Sequence, residues 1–305
     1  MSPAMTLAER QKAMGTALLQ AKGHLVLDTE DAWQQFAVKE ADATFAFEGL
    51  DRKKLLLYES LIRGSMKETL LSIYPHTLKF FEGNQSGLTE NYRRSNPSSS
   101  FKLSYATSAL PEYLRGLTVD KPKSLYKPLF LELLKQYPFL PELAEYEWQE
   151  AAVALMPDQA IPEEFEPGIP DTVDEMSRWQ PVWNLVRQIN TFHYNIPGLV
   201  EQVSEMESVL KSSWDMPPVP CQMLFYRDPK TFKVRFFQLN DLTAAFLTAG
   251  EYAGSYQEIV ETLHREQPSL RAIPVEALMG EVLKLLQMCF SQQILLGSVP
   301  VMPES

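Results

Sequence analysis

The sequence predicts an α+β protein built as an all-helical domain at 1–155, an acidic linker at 156–177 and a smaller mixed domain at 178–305. Three observations predict it. In the first half, apolar residues recur at steps of three and four, the spacing of one helical face. Residues 156–177 then carry Pro157, Pro162, Pro167 and Pro170 among Asp158, Glu163, Glu164, Glu166, Asp171, Asp174 and Glu175, with no Lys or Arg. Beyond them the period changes to alternation, and the order becomes strand, helix, hairpin and three helices.

The helical half starts with 5–22, where Leu7, Met14, Leu18 and Leu19 share a face and Gly23 closes the pattern. Thr29 is placed to cap a second helix with Trp33 and Phe36. A third covers 52–71 through Leu55, Tyr58, Ile62, Met66 and Leu70, and Pro75 breaks it. Ser86 and Thr89 start a short helix, and the polar run 95–100 reads as a loop. Helices are expected at 104–117 and 125–136, with Pro128 near the start of the latter. Pro141 suits the first turn of a helix through Leu155, where its missing donor does no harm.

The linker composition suits a solvated tether. Its Ile161, Phe165 and Ile169 are spaced to dock, so a segment wrapped over a surface is the alternative. A first strand is expected over 182–194, a helix over 199–210, and paired strands over 218–227 and 232–239 around the turn Asp228-Pro229-Lys230-Thr231. Asn240 or Asp241 caps the next helix, Ser255 and Glu258 form a capping box for the second, and Pro274 opens the third. That last helix carries Leu278, Val282, Leu286, Phe290 and Ile294 on one stripe, with Gly297 as its stop.

Apolar residues make up 45% and charged residues 22%, which excludes a wholly disordered chain. No apolar run approaches the roughly 20 residues a membrane span needs. The first ten residues lack a basic stretch followed by an apolar core, so no signal peptide is visible and a cytoplasmic location is expected. With 28 Lys and Arg against 39 Asp and Glu, the net charge of −11 disfavours nucleic acid as a partner. Cys221 and Cys289 are too few for a four-thiolate zinc site and suit free buried thiols. His24, His76, His193 and His264 lie too far apart for a local metal-ligand pair, and packing or surface roles are expected. Glu147, beside Trp148 on an amphipathic helix, is expected to hold an Arg or a backbone donor. Trp33, Trp148 and Trp183 read as core. No nucleophile elbow, phosphate loop or dinucleotide fingerprint is present, so binding is favoured over catalysis. A short sheet with an open edge, backed by a helix, suits capture of an extended peptide as an added strand.

The segment Leu55-Leu-Leu-Tyr58-Glu-Ser-Leu-Ile-Arg63, then Leu70-Leu-Ser-Ile-Tyr74-Pro75, resembles the "VYR-N-VR…L…FP" stretch of the HvfC/BufC-type family of peptide-modification chaperones. These were formerly labelled DNA-binding domains. Residues 137–148, Tyr-Pro-Phe-Leu-Pro-Glu-Leu-Ala-Glu-Tyr-Glu-Trp, are similar to the family's "P-LADLA-LEW" helix. Met223-Leu-Phe-Tyr-Arg-Asp-Pro, residues 234–239 and Ala244-Ala-Phe-Leu-Thr-Ala-Gly250 are similar to its "VLV-R-P…V…L…E-A-L-AL-G" segment. The family's Arg after the Tyr is Glu59 here.

The resemblance implies a non-catalytic partner of a TIM-barrel multinuclear non-haem iron oxidase, similar to the MbnC/TglI-type partners. Such oxidases use oxygen to modify a ribosomally made precursor peptide, typically at cysteine. The 3-thiaglutamate-type pathway is favoured among the subtypes. The C-terminal domain is then expected to be winged-helix-like, with a three-stranded sheet and three helices forming a leader-recognition element. By analogy the leader would lie along Lys233, Val234, Arg235, Phe236, Phe237, Gln238 and Leu239, with Leu278, Val282 and Leu286 lining the groove. No catalytic residue, metal ligand or cofactor is expected in this chain, and iron is expected in the partner. No membrane partner is expected. The alternatives are a winged-helix transcription regulator, which needs a basic recognition helix, and an enzyme in its own right. Residues 274–296 offer Lys284 as their one basic residue, against Glu276 and Glu281.

Overall fold

A computed structural model describes residues 52–96, 102–117, 127–209, 214, 216–251 and 254–301. The expected helices at 5–22 and after Thr29, with Trp33, Phe36 and His24, lie outside the described residues. The fold mixes helices with short antiparallel strands, as an α+β protein should. Two compact units divide the chain differently from the expected boundaries. One takes the chain up to Trp148 together with Ile196–Pro217, and the other takes Gln149–Asn195 with Pro218–Ser305.

In the first unit, α1 spans Arg52–Ile73. The chain turns at Tyr74, and Pro75 opens α2 (Pro75–Lys79), where its missing N–H leaves no bond unmade. Next come α3 (Gln85–Ser95), α4 (Leu103–Ala106) and α5 (Leu110–Arg115). The expected single helix at 104–117 is thus two helices, because Pro111 must sit in a first turn. The buried hydroxyls of Tyr92 and Tyr74 donate to the Ala106 and Thr107 carbonyls, at 2.7 Å each, and satisfy the break. Helices α6 (Lys127–Gln136) and α7 (Leu140–Leu155) follow, with Pro128 and Pro141 each second in its helix. The ring of Phe80 packs edge-on against Tyr137, Phe139 and Trp214, with centroids 5.0, 5.5 and 5.5 Å away.

Helix α8 (Ile196–Ser204) belongs to this unit rather than to the C-terminal half. Lys79 Nζ donates to the carbonyls of Val203 and Met206, at 2.8 and 2.9 Å, and so caps its C-terminal end. Ser208 donates to Glu82 at 2.8 Å, and Trp214 joins the Phe80 cluster. The helix ends well short of the expected 210.

The second unit holds two small sheets. The expected strand at 182–194 is two strands, β1 (Trp179–Trp183) and β2 (Arg187–Phe192). Asn184 sits where the chain leaves one sheet for the other. Its Nδ2 donates to Arg227 and Gln293 carbonyls, and its Oδ1 accepts from Val186 N–H. The strands β3 (Cys221–Arg227) and β4 (Val234–Leu239) complete an antiparallel sheet in the order β2-β3-β4. Helices α9 (Asp241–Ala249), α10 (Tyr256–Glu266) and α11 (Val275–Ser291) follow. Asn240 caps α9 through Thr243 N–H at 2.8 Å, and the Ser255–Glu258 capping box is formed at α10.

Gly297 does not end α11. The helix stops at Ser291, and Gln293 takes the left-handed conformation (φ 60°). Ile294 N–H then reaches the Cys289 carbonyl at 2.9 Å, a Schellman closure. Ile294 is buried outside the helix, and β5 (Leu295–Pro300) pairs antiparallel with β1. Leu295 and Leu296 continue the helical apolar pattern in the sequence, which hides this strand.

The acidic stretch wraps rather than floats. Glu166 and Ser298 exchange two backbone bonds of 2.9 Å, Ser298 Oγ donates to the Gly168 carbonyl, and Gln159 bonds Trp183 and Leu185. A Cβ on Gly297 would overlap the Glu166 carbonyl, so only glycine admits this approach. Ile169 and Val173 pack on the core, whereas Ile161 stays exposed.

Candidate functional site

The expected peptide-binding residues fall into two groups that the structure treats differently. Lys233 ends the hairpin loop, and Val234, Arg235, Phe236, Phe237, Gln238 and Leu239 form β4. Among the described residues β4 is an outer strand of its sheet. The α11 residues Leu278, Val282 and Leu286 are 1%, 0% and 0% exposed and belong to the core that also holds Leu224, Leu239 and Val260. They line no open groove, which corrects the expectation. Their stripe faces the core because α11 packs on α10 and β5.

Hydrogen bonds on either side of β3 fix the direction of the β4 backbone groups. Arg227 N–H donates to the Val186 carbonyl at 3.0 Å, so odd-numbered β3 residues bond toward β2. Asp228 N–H donates to the Lys233 carbonyl at 2.9 Å, so even-numbered ones bond toward β4. Tyr226 pairs with Arg235, Leu224 with Phe237 and Gln222 with Leu239. The amides of Arg235, Phe237 and Leu239 therefore face β3, and those of Val234, Phe236 and Gln238 face outward. Arg235 is thus not an edge donor.

The side chains alternate as well. Phe237 and Leu239 pack toward the helices, while Phe236 meets Phe225 edge-on at 5.5 Å on the opposite face. The hairpin that presents β4 is built on Asp228. Its Oδ1 accepts from Lys230 and Thr231 N–H, and its Oδ2 pairs with Arg235 at 2.6 Å. Burial pushes this carboxyl up, but the two N–H donors and the Arg235 guanidinium outweigh it and hold it below the usual aspartate value. Sequence reasoning placed the turn and missed Asp228 as the anchor of Arg235. The signal was available in the Asp-Pro-Lys-Thr motif.

Two other clusters carry chemistry-bearing side chains. Glu147 accepts from His76 N–H at 2.6 Å, Thr77 N–H at 3.0 Å and His76 Nδ1 at 2.9 Å. It is the expected backbone partner and closes the N-terminus of α2. His76 Nε2 lies 2.9 Å from Ser204 Oγ, which completes a Ser–His–carboxylate line. Ser204 Oγ also lies 2.6 Å from the Val200 carbonyl, in the last turn of α8. The carbonyl end of a helix opposes an oxyanion, so these bonds serve to join α2, α7 and α8.

In the second unit Arg187 stacks on Trp183 (5.2 Å) and pairs with Glu251 (3.4 Å), while its buried Nη1 has no partner. Burial lowers the Arg187 pKa, against the pull of Glu251. Burial also pushes the nearby Cys289 thiol up to about 12, despite Arg187. Cys221 and Cys289 are both buried, and neither is in a disulfide. Among the described residues no group of three or more His, Cys, Asp or Glu is placed to hold a metal ion. Nor is any helix among them long and apolar enough to cross a membrane. Comparison with protein-family profiles and with curated proteins gives no match for this chain.

Proposed function

We propose that this chain is a non-catalytic partner subunit. It binds the leader of a ribosomally made precursor peptide and docks it onto a TIM-barrel multinuclear iron oxidase for oxidative modification at cysteine. The observation that supports this reading is the element order of the second unit: an antiparallel β2-β3-β4 sheet, outer strand last, followed by three helices. A winged-helix-like leader-recognition element has that order. The leader adds as a strand beside β4, bonding to the outward amides and carbonyls of Val234 and Gln238. Each such bond contributes about 0.5–1.5 kcal/mol net. Iron and oxygen chemistry belong to the partner, the location is cytoplasmic, and the 3-thiaglutamate-type pathway is the favoured setting.

A duplex-reading regulator is the weaker reading. The exposed positions of α11 are Glu276, Ala277, Glu281, Lys284, Gln287 and Ser291, and Lys284 is paired with Glu281 at 2.8 Å. Such a face offers little to phosphates or base edges. The test is co-expression with a TIM-barrel iron oxidase from the same genome, then size exclusion with iron analysis. A stable iron-containing heterodimer, with no iron in this chain alone, is expected. Absence of a complex, together with salt-sensitive binding to duplex DNA, overturns the reading in favour of the regulator.

A further inference from the structure

The loop between β3 and β4 carries a residue that serves the fold poorly. Phe232 N–H closes the turn onto the Asp228 carbonyl at 2.8 Å, and the geometry puts Phe232 in the left-handed region, φ 57°. Glycine or asparagine suits that position, and a bulky aromatic residue there is strained. The ring gains little burial in exchange, since Phe232 is 64% exposed, the highest value among the large hydrophobic residues described. A strained residue that contributes nothing to the core points to a role outside the fold. Its charge setting is also unusual. Lys230 and Lys233 flank the ring, both exposed, and neither pairs with a carboxylate among the described residues. Asp228, the acidic residue of the hairpin, is buried and held by Arg235. The tip is therefore locally cationic on a chain of net charge −11.

We propose that this tip is a docking plug, with Phe232 entering an apolar pocket bordered by carboxylates on a protein partner. The inference rests on the partner-subunit reading, which makes that partner the iron oxidase. An anionic membrane would suit the same tip, but the chain's net negative charge repels such a surface. An acid-rimmed pocket meets the two lysines without exposing the rest of the surface to repulsion.

The experiment titrates the full chain against the purified oxidase by calorimetry. Phe232→Gly relieves the strain, so its melting temperature is expected at or above that of the wild type. Its affinity is expected to fall about 30-fold or more, as for a buried aromatic anchor. Lys230→Glu with Lys233→Glu should weaken binding and flatten its salt dependence. Unchanged affinity in Phe232→Gly overturns the plug and leaves the subunit reading standing. No binding by the wild type overturns both. Phe232-dependent binding to phosphatidylglycerol vesicles, with oxidase affinity unchanged, overturns the plug and reassigns the tip to membranes. A lower melting temperature for Phe232→Gly overturns the strain argument and the plug with it.

Discussion

Strand β4 and helix α11 look equally suited to a binding groove in the sequence, yet they differ in what covers them. Both carry regular apolar patterns, Val234, Phe236 and Phe237 on one and Leu278, Val282 and Leu286 on the other. The helix stripe is wholly buried, whereas β4 has exposed side chains and an outer backbone edge. Periodicity identifies which face of an element is apolar. What lies against that face depends on other parts of the chain. For α11 the covering elements are α10 and β5, and β5 was hidden in the sequence as a helical tail.

The largest expected effect comes from treating α11 as core. Leu286→Ala leaves a cavity and should cost about 2–5 kcal/mol in chemical denaturation. Phe236→Ser, on the partly exposed strand, should cost clearly less. Equal losses would erase the distinction between the two elements.

The second effect separates the two sides of β4. Arg235→Pro removes an amide that faces β3 and leaves the Tyr226 carbonyl without its donor, at about 1–3 kcal/mol. Gln238→Pro removes an outward amide and should be milder for stability, but should weaken leader binding. The reverse order in thermal melts would show that the register is wrong.

The smallest effect concerns Asp228. Its folded carboxyl lies below the ordinary aspartate value, so its contribution is fully present above the unfolded value, about 3.9. That contribution is lost as pH falls through the lower folded value. Asp228→Asn keeps the turn acceptor and loses the pair with Arg235. Near neutral pH it should cost about 1 kcal/mol, and its stability should fall less on acidification below pH 4 than the wild type's. Parallel acid profiles for the two proteins would show that Asp228 carries no such linkage.

Local signals were read well from the sequence. The Ser255 capping box, the Asn240 cap, the break at Pro75 and the β3–β4 turn each depend on residues within a few positions of one another. Long-range facts were not legible. Helix α8 lies between two strands in the sequence, yet it packs in the helical unit through Lys79 and His76. The acidic stretch looks like a tether until Gly297 and Ser298 of β5 are placed beside it. The candidate site was half legible. The sequence placed β4, but assigned Leu278, Val282 and Leu286 to a groove that they do not line.

The most direct test is residue-resolved amide hydrogen exchange on the full chain, with and without the precursor leader. The account predicts that Arg235, Phe237 and Leu239 are protected in the free protein, and that Val234 and Gln238 gain protection only when the leader is bound. Saturable leader binding that leaves the exchange of Val234 and Gln238 unchanged would contradict strand addition at β4.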